Sequence, residues 1–353
     1  WANAVLGNAF GSAAWYACMS DFNVFKKGSC MAVSSARLVS LATRADISPE
    51  ELGGWELHSK VTGIADLVTD TEEQALDAIK HFLSYLPSHH MESPPRVDVP
   101  EGSDEPVKDL LDLIPQERTR VYDVKKVISK IVDIGSIFEL KANFGRTMVT
   151  TLCRIDGKTV GIIANNPMHK GGAIDADACD KVCSFIVLCD SFNIPMVFFV
   201  DQPGFLIGIE GERKKITGKI INWMNAMALA SMPKIALQFR KNYGQGWLNM
   251  GEGKNADELA AWWLAETSFM DPASAVGVVF GVDRESEPEK YGEMIDSMLQ
   301  DTSAYESASV YGAKQVIDPR ETRDYLKTML DTHERRLTRG VGQHLMRAWP
   351  TTF

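Results

Sequence analysis

The stretch from Ile194 to Met250 constrains this chain most. An apolar strand runs into an Asp201-Gln202-Pro203-Gly204-Phe205 turn and a long amphipathic helix. A second apolar strand follows and ends in Tyr243-Gly244-Gln245-Gly246. Strand, helix and strand in succession predict a right-handed crossover and a parallel sheet, so the fold class is α/β. A glycine turn directly after a buried strand presents bare backbone N–H groups at the carboxyl end of the sheet, where α/β proteins bind ligands. Two such turns can hold a developing oxyanion, such as an enolate, with no catalytic side chain.

A chain of 353 residues exceeds the usual single-domain size, so two domains are expected. The clearest linker lies between Leu86 and about Arg120, punctuated by Pro87, Pro94, Pro95, Pro100, Pro106 and Pro115 with acidic residues between them. Proline at this density is expected to block both helix and central strand. We therefore divide the chain into residues 1–95, a Pro-rich acidic linker at 96–120, and residues 121–353. The start, Trp1 to Gly7, lacks an initiator Met and reads as the middle of a strand, so upstream sequence, with any targeting signal, is expected to be missing.

A net charge of −10 argues against nucleic acid as a partner. The basic cluster Arg213-Lys214-Lys215 with Lys219 reads as a solvated helix face. The six cysteines form no CxxC pair. Cys179, Cys183 and Cys189 fall at helical spacing beside Val182 and Ile186, which reads as a thiol-rich core face in a reducing compartment. No run reaches transmembrane length and no signal peptide is visible, so membrane insertion is not expected and the cytoplasm is the expected location. The mitochondrial matrix is the alternative if a targeting signal preceded Trp1.

Further along, Asp123–Val132, Asp177–Phe192 and Glu212–Ser231 are expected as helices, the last with Ile216, Ile220, Trp223, Met224 and Met227 on one stripe. Thr147–Cys153 and Lys158–Ala164 read as strands joined by a tight Asp156-Gly157 hairpin, and Pro195–Val200 and Lys234–Phe239 as buried parallel strands. A faint internal repeat is visible. The first half has a strand into Gly7 to Ala13, a helix, Ser29 to Ala32, then Gly63 to Val68 and a helix over Glu72–Tyr85. The second half has a strand into Gly244-Gln245-Gly246, a helix from about Asp257, Ser268 to Asp271, then Gly312 to Ile317 and a helix from Glu321. Two related domains explain this better than a solenoid.

Gly11-Ser12 and Gln245-Gly246 are the oxyanion candidates, since glycine lets a carbonyl oxygen approach the backbone. Pro203-Gly204-Phe205 also sits at the carboxyl end of a buried strand, although a rigid turn alone would account for it. His58 is a secondary candidate acid or base; a lone histidine is more often structural. His169 reads as a loop residue. Glu50-Glu51 and Glu72-Glu73 suit the first turns of helices. The sequence holds no Walker loop, HExxH, GxSxG or CxxC zinc pair, and no metal ligand set is proposed. The Met-Lys-Met of a biotin-carrying segment is also absent.

These segments together resemble the carboxyltransferase (β) subunits of biotin-dependent acyl-CoA carboxylases, propionyl-CoA carboxylase type, in the crotonase superfamily. The matching stretches run in family order: Ser20-Asp21-Phe22; Glu50 to Gly54 with His58; Thr62 to Asp66; Tyr122 to Ile128; Arg154 to Gly157; Val160 to Pro167; Asp180-Lys181; Phe192 to Pro195; Pro203-Gly204-Phe205; Tyr243-Gly244; and Asp318 to Arg323. The resemblance implies two ClpP/crotonase-type ββα-superhelix domains, the first incomplete. It implies biotin-dependent carboxyl transfer between carboxybiotin and the α carbon of an acyl-CoA, through an enolate. Gly11 and Ser12 match the backbone site for the thioester enolate. Gln245 and Gly246 match the site for the biotin ureido oxygen, with Tyr243, Gly244, Leu248 and Pro203-Gly204-Phe205 around it. The implied partners are a biotin carboxylase and a biotin carboxyl carrier subunit, in a dimer or trimer of dimers that sets the biotin side of one subunit against the acyl-CoA side of another.

Four residues depart from the family pattern. Ser12 replaces the second glycine of a pair. Gln245 replaces a glycine of Tyr-Gly-Gly-Ala. Leu248 falls where many members carry an acidic residue, and Trp263 stands where Ala-Trp-Pro is usual. A larger or less usual acyl group is the expectation. The reverse chemistry, an acyl-CoA decarboxylase subunit of the glutaconyl or methylmalonyl type, and a non-catalytic structural subunit remain as alternatives.

Overall fold

The computed structural model describes residues 1–346 except Pro106 and Lys108. Among the described residues thirteen strands form three sheets. The strands are β1 (Ala2–Val5), β2 (Asn8–Phe10), β3 (Phe22–Lys26), β4 (Cys30–Ala32), β5 (Leu67–Thr69), β6 (Phe138–Leu140), β7 (Met148–Ile155), β8 (Lys158–Asn165), β9 (Met196–Gln202), β10 (Lys234–Tyr243), β11 (Glu258–Trp262), β12 (Glu266–Ser268) and β13 (Gln315–Ile317). The largest sheet runs β13-β11-β10-β9-β8-β7-β6, with β12 also paired to β10.

Beyond the β6–β7–β8 antiparallel meander, every pairing in that sheet is parallel. The reason is in the residues. All seven residues of β9 are buried, because helices cover both faces. Each fully buried Val or Phe there contributes about 1.5–3 kcal/mol relative to exposure. Asp156 and Gly157 both take positive φ in the β7–β8 turn, which a two-residue hairpin requires. On one face lies the helix Ala176–Ser191, which carries Cys179, Cys183 and Cys189 into the core as expected. Against it packs the helix Ile216–Leu229, whose Trp223 is fully buried.

The first 69 residues build two small parallel sheets, β1-β3-β5 and β2-β4. Their connectivity matches the far end of the large sheet. In the first part β1 pairs β3, β3 pairs β5, β2 pairs β4, and a helix over Glu72–Leu83 follows β5. In the second part β10 pairs both β11 and β12, β11 pairs β13, and a helix over Thr322–Thr332 follows. The faint repeat of the sequence is thus a repeat of strand pairing.

Several local expectations are corrected. No helix starts at Asp257: Glu258–Trp262 is a strand, buried from Leu259 to Trp262 between β10 and β13. The apolar strand expected at Ser268 to Asp271 lies earlier, at Glu266–Ser268. The helix expected over Glu212–Ser231 is two helices, Ile209–Arg213 and Ile216–Leu229, parted where Lys215 takes a left-handed φ of 59°. In its basic cluster, Lys214 and Lys219 reach across to Asp177 and Asp180 instead of being wholly solvated. The Pro-rich segment does hold one helical turn, Leu110–Leu113, because the stretch between Pro106 and Pro115 contains no proline. Leu110 and Ile114 are buried against the second core, so this stretch packs on the sheet. Pro106 itself lies outside the described residues.

The family stretch Asp180-Lys181 acquires a structural reason. Lys181 is buried, and its Nζ donates to the carbonyls of Lys141, Phe144 and Met148 at 2.8–3.0 Å. Three acceptors match the three N–H bonds of an ammonium, so we take it as charged although burial pulls its pKa down to about 7.

Candidate active site

Two turns share one backbone device. β2 ends at Gly11, whose φ is 63°, and its N–H donates to the carbonyl of Val33 at 3.1 Å, just past the neighbouring parallel strand β4. β10 ends at Gly244, also at φ 63°, and its N–H donates to the carbonyl of Ser268 at 3.0 Å, at the end of the neighbouring parallel strand β12. A side chain at such a φ is strained, which is why glycine stands at both places. Short helices then begin, Ser12–Cys18 after the first turn and Gly246–Asn249 after the second. The N–H of Gly11 is spent on Val33, so Gly11 is not itself the expected oxyanion donor. First-turn N–H groups have no carbonyl one turn earlier to bond, which leaves Ser12 and Ala13 at one site, and Gln245 and Gly246 at the other, as the unbonded donors.

The surroundings differ. A Cβ built on Gly11 meets nothing within 4 Å, and Ser12 is exposed. At the second turn Gln245 is exposed but Gly246 is buried against Gln202. Open donors of this kind suit an oxygen that carries negative charge.

The structure brings Pro203-Gly204-Phe205 to the second turn. A Cβ on Gly204 would sit 3.8 Å from the carbonyl of Tyr243, and Gly204 and Leu206 exchange hydrogen bonds with Ile174. The Lys170-Gly171-Gly172 turn packs beneath, with Gly172 close against the carbonyl of Asp201. Gly11 and Ser12 share no hydrogen bond with this cluster among the described residues.

Tyr243 is fully buried. Its hydroxyl donates to Glu266 Oε2 at 2.6 Å, and burial raises its pKa. Its side chain therefore supports the turn from within and its backbone alone faces the site. Leu248 is half-buried, folded with Trp247 over Gly253. His58 is buried, with Nε2 2.7 Å from the carbonyl of Met31 and Nδ1 3.0 Å from Thr62 Oγ1. Burial lowers its pKa, so it stands as a neutral tie between its helix and β4, with both ring nitrogens engaged. Trp263 is partly exposed beside the fully buried Trp262.

Residues that sequence reasoning passed over sit beneath the second turn. Gln202 Nε2 donates to Asn242 Oδ1 at 2.7 Å and to the carbonyl of Tyr243 at 3.0 Å. Asn242 Nδ2 in turn donates to Glu252 Oε1. All three side chains are buried, and burial pushes the Glu252 carboxyl up to about 7. One turn of backbone earlier, Arg240 and Asp201 form a buried ion pair at 2.9 Å. Arg240 Nη1 also donates to the carbonyls of Pro115, Glu117 and Arg120, clamping the Pro-rich segment to the end of the sheet. For Asp201 and Gln202 the signal available was a polar pair closing an otherwise apolar strand.

A cavity of about 240 Å³ opens elsewhere, between the 18–66 stretch and the 140–191 stretch, and includes neither turn. Its size does not make it the better site, since its charged groups already have partners: Lys141 bonds Asp66, and Asp180 bonds Lys219. No cluster of three or more metal-ligating side chains occurs among the described residues.

Comparison with known proteins gives the family. Residues 2–341 match the model of the carboxyl transferase domain. The propionyl-CoA carboxylase carboxyltransferase subunit of Haloferax mediterranei is 33% identical over 330 residues, covering 92% of this chain and 64% of that protein. The methylmalonyl-CoA decarboxylase subunit alpha of Veillonella parvula is 33% identical over 323 residues, covering 90% of this chain and 62% of that protein. The hexameric transcarboxylase 12S, solved with methylmalonyl-coenzyme A and methylmalonic acid bound, superimposes with a TM-score of 0.87 at 32% identity, covering 93% of this chain and 64% of that one. The chain thus spans somewhat less than two thirds of the length of these relatives. It belongs to the carboxyl transferase domain family, with the mixed α/β fold of those structures.

Proposed function

We propose that this chain catalyses biotin-dependent carboxyl transfer at the α carbon of an acyl-CoA, as a carboxyltransferase subunit. The observation that carries the reading is the pair of matched turns: two glycines at φ 63°, each tied by its N–H to a neighbouring parallel strand and each opening a short helix. In this reading the Gly11-Ser12 turn holds the thioester oxygen as the α carbon loses its proton. Fixed N–H dipoles there need no reorganisation as charge develops, and one such donor is worth about 2.7–4 kcal/mol in acyl-transfer enzymes. The Gln245-Gly246 turn, flanked by Gly244 and the Pro203-Gly204-Phe205 stretch, holds the ureido oxygen of biotin. When bound, biotin supplies the one-carbon carrier and the proton acceptor, which explains why His58 need not act as a base.

The matched strand pairing supports reading the chain as two crotonase-like domains, the first incomplete, with boundaries near 95 and 121. The acyl-CoA side then lies in the first and the biotin side in the second. The family resemblance favours an assembly in which a second copy supplies the complementary turn. The partners are a biotin carboxyl carrier and a biotin carboxylase subunit. The thiol-rich core around Cys153, Cys179 and Cys189 favours a reducing compartment, and we place the protein in the cytoplasm. With Ser12, Gln245, Leu248 and Trp263 departing from the family pattern, the acyl group in this reading is a larger or less usual one. A decarboxylase role is the second reading, favoured by the likeness to the Veillonella subunit.

The test is a panel of carboxyacyl-CoAs of increasing acyl length incubated with the full chain and free biotin, which accepts the carboxyl group as the acyl-CoA is released, scored by chromatography of the CoA products. Biotin-dependent loss of carboxylate from a thioester longer than methylmalonyl-CoA is expected. No turnover of any member would overturn the reading. Malonyl- or methylmalonyl-CoA emerging as the best carboxyl donor would overturn the expectation of a larger or less usual acyl group.

A further inference from the structure

Three buried side chains form a directed chain beneath the second turn. Asn242 Nδ2 donates to Glu252 Oε1. Asn242 Oδ1 then faces Gln202 and accepts from Nε2 at 2.7 Å. The same Nε2 donates to the carbonyl of Tyr243 at 3.0 Å. Gln202 Oε1 is consequently left facing Gly246, fully buried and without a donor. A Cβ at position 246 would lie 2.6 Å from that oxygen and 3.0 Å from Gln202 Cδ. No real Cβ contact is that short, so the amide and a side chain at 246 exclude each other.

The Tyr243–Gly244 peptide is thereby held at both ends. Its carbonyl accepts from Gln202, and its N–H donates to Ser268 at 3.0 Å. Rotation of that peptide is what would redirect the N–H groups of Gln245 and Gly246 that follow.

We propose that Gln202 is the positioning residue of the second turn, fixing the Tyr243 carbonyl with its Nε2 and restricting position 246 to glycine with its Oε1, and so setting how the turn meets the ureido oxygen of biotin. The first two parts are geometric; the last rests on the functional reading above. Burial raises the Glu252 carboxyl, which keeps the terminal member of the chain close to neutral and fits an amide ladder that ends on a carboxyl group.

The test uses Gln202→Met, Gln202→Ala, Gly246→Ala and the double variant Gln202→Ala/Gly246→Ala in the full chain, with KM for free biotin, KM for the carboxyacyl-CoA that donates to it and the thermal midpoint as readouts. Gln202→Met keeps the bulk and removes the donor, and should raise the biotin KM about fivefold, the worth of one hydrogen bond. The carboxyacyl-CoA KM should stay within about twofold, because the first turn is untouched. Gly246→Ala should raise the biotin KM by about tenfold in the presence of Gln202, as overpacking does. With alanine at 202 the added methyl should cost no more than about threefold, since the two positions are coupled. The thermal midpoints should show the same non-additivity. Equal effects of Gly246→Ala in both backgrounds, or a Gln202→Met variant that shifts both KM values alike, would overturn the proposal. If the unaltered chain shows no biotin-dependent turnover, the functional reading fails by itself, and the cycle of midpoints still decides whether Gln202 governs position 246.

Discussion

The Gly11 turn and the Gly244 turn use the same φ, the same N–H tie to a parallel neighbour and the same short helix, yet they rest on different foundations. The first closes a two-stranded sheet, β2-β4, and its helix carries Trp15 and Tyr16 on the outside, both more than half exposed. The second closes the longest strand of a wide sheet and stands on a buried layer of Arg240, Asp201, Gln202, Asn242 and Glu252. Backbone geometry alone makes a donor pair. What differs is how far each pair is held in place by groups that never touch a ligand. The first site should tolerate change near it and the second should not.

The largest effect should come from Arg240. Removing one member of a buried ion pair leaves an uncompensated charge, so Arg240→Met should lower the unfolding free energy by about 3–5 kcal/mol in urea. A more exposed counterpart in the first part of the chain is the Lys26–Glu72 pair at 2.9 Å. Lys26→Met should cost less than about 1 kcal/mol. Similar losses at the two positions would erase the contrast.

Glu252 offers a pH test of the same contrast. Its carboxyl is raised from 4.5 to about 7 in the folded state, so the folded chain holds a proton that the unfolded chain has released between those values. Stability is then fully present below about pH 4.5 and declines as pH rises through 7, by on the order of 3 kcal/mol from this group. Glu252→Gln should remove that slope in denaturant titrations at several pH values. A slope unchanged by the substitution would assign it to another group.

A smaller effect is expected at the first turn. A Cβ on Gly11 has open space, so Gly11→Ala should cost only the strain of a positive-φ backbone, on the order of 1–3 kcal/mol in urea. A loss as large as that of Arg240→Met would mean the first turn is as tightly built as the second.

The strands β7 to β10 were legible in the sequence because a strand covered on both faces reads as a continuous apolar run, and the Asp156-Gly157 turn marks its own hairpin. β11 was not, because the Leu259-Ala260-Ala261-Trp262-Trp263-Leu264-Ala265 run fits a buried strand and a helix equally, and periodicity cannot separate them. The two glycine turns were legible from strand-then-glycine patterning and from the family stretches. The support beneath the second was not. Gln202 and Asn242 lie 40 residues apart, and Glu252 ten further on. No spacing rule links residues that meet only when β9, β10 and the following loop close on one another. His58 shows the converse: its residue type suggested proton transfer, and only its two partners identify it as a tie.

The account stands on a division of labour between the two turns, and proline can delete one N–H from each. Ser12 is the first residue of its helix, where proline is tolerated, and Gln245 has a φ of −65°, which proline adopts. Initial rates of carboxyl transfer from a carboxyacyl-CoA to free biotin for Ser12→Pro and Gln245→Pro, each measured against both substrates, test the claim most directly. Ser12→Pro should lower kcat by about 100-fold or more, the effect of losing one oxyanion donor, with the biotin KM unchanged. Gln245→Pro should raise the biotin KM and leave the carboxyacyl-CoA KM as it was. Both variants changing the same parameter, or neither changing any, would contradict the assignment of one turn to each substrate.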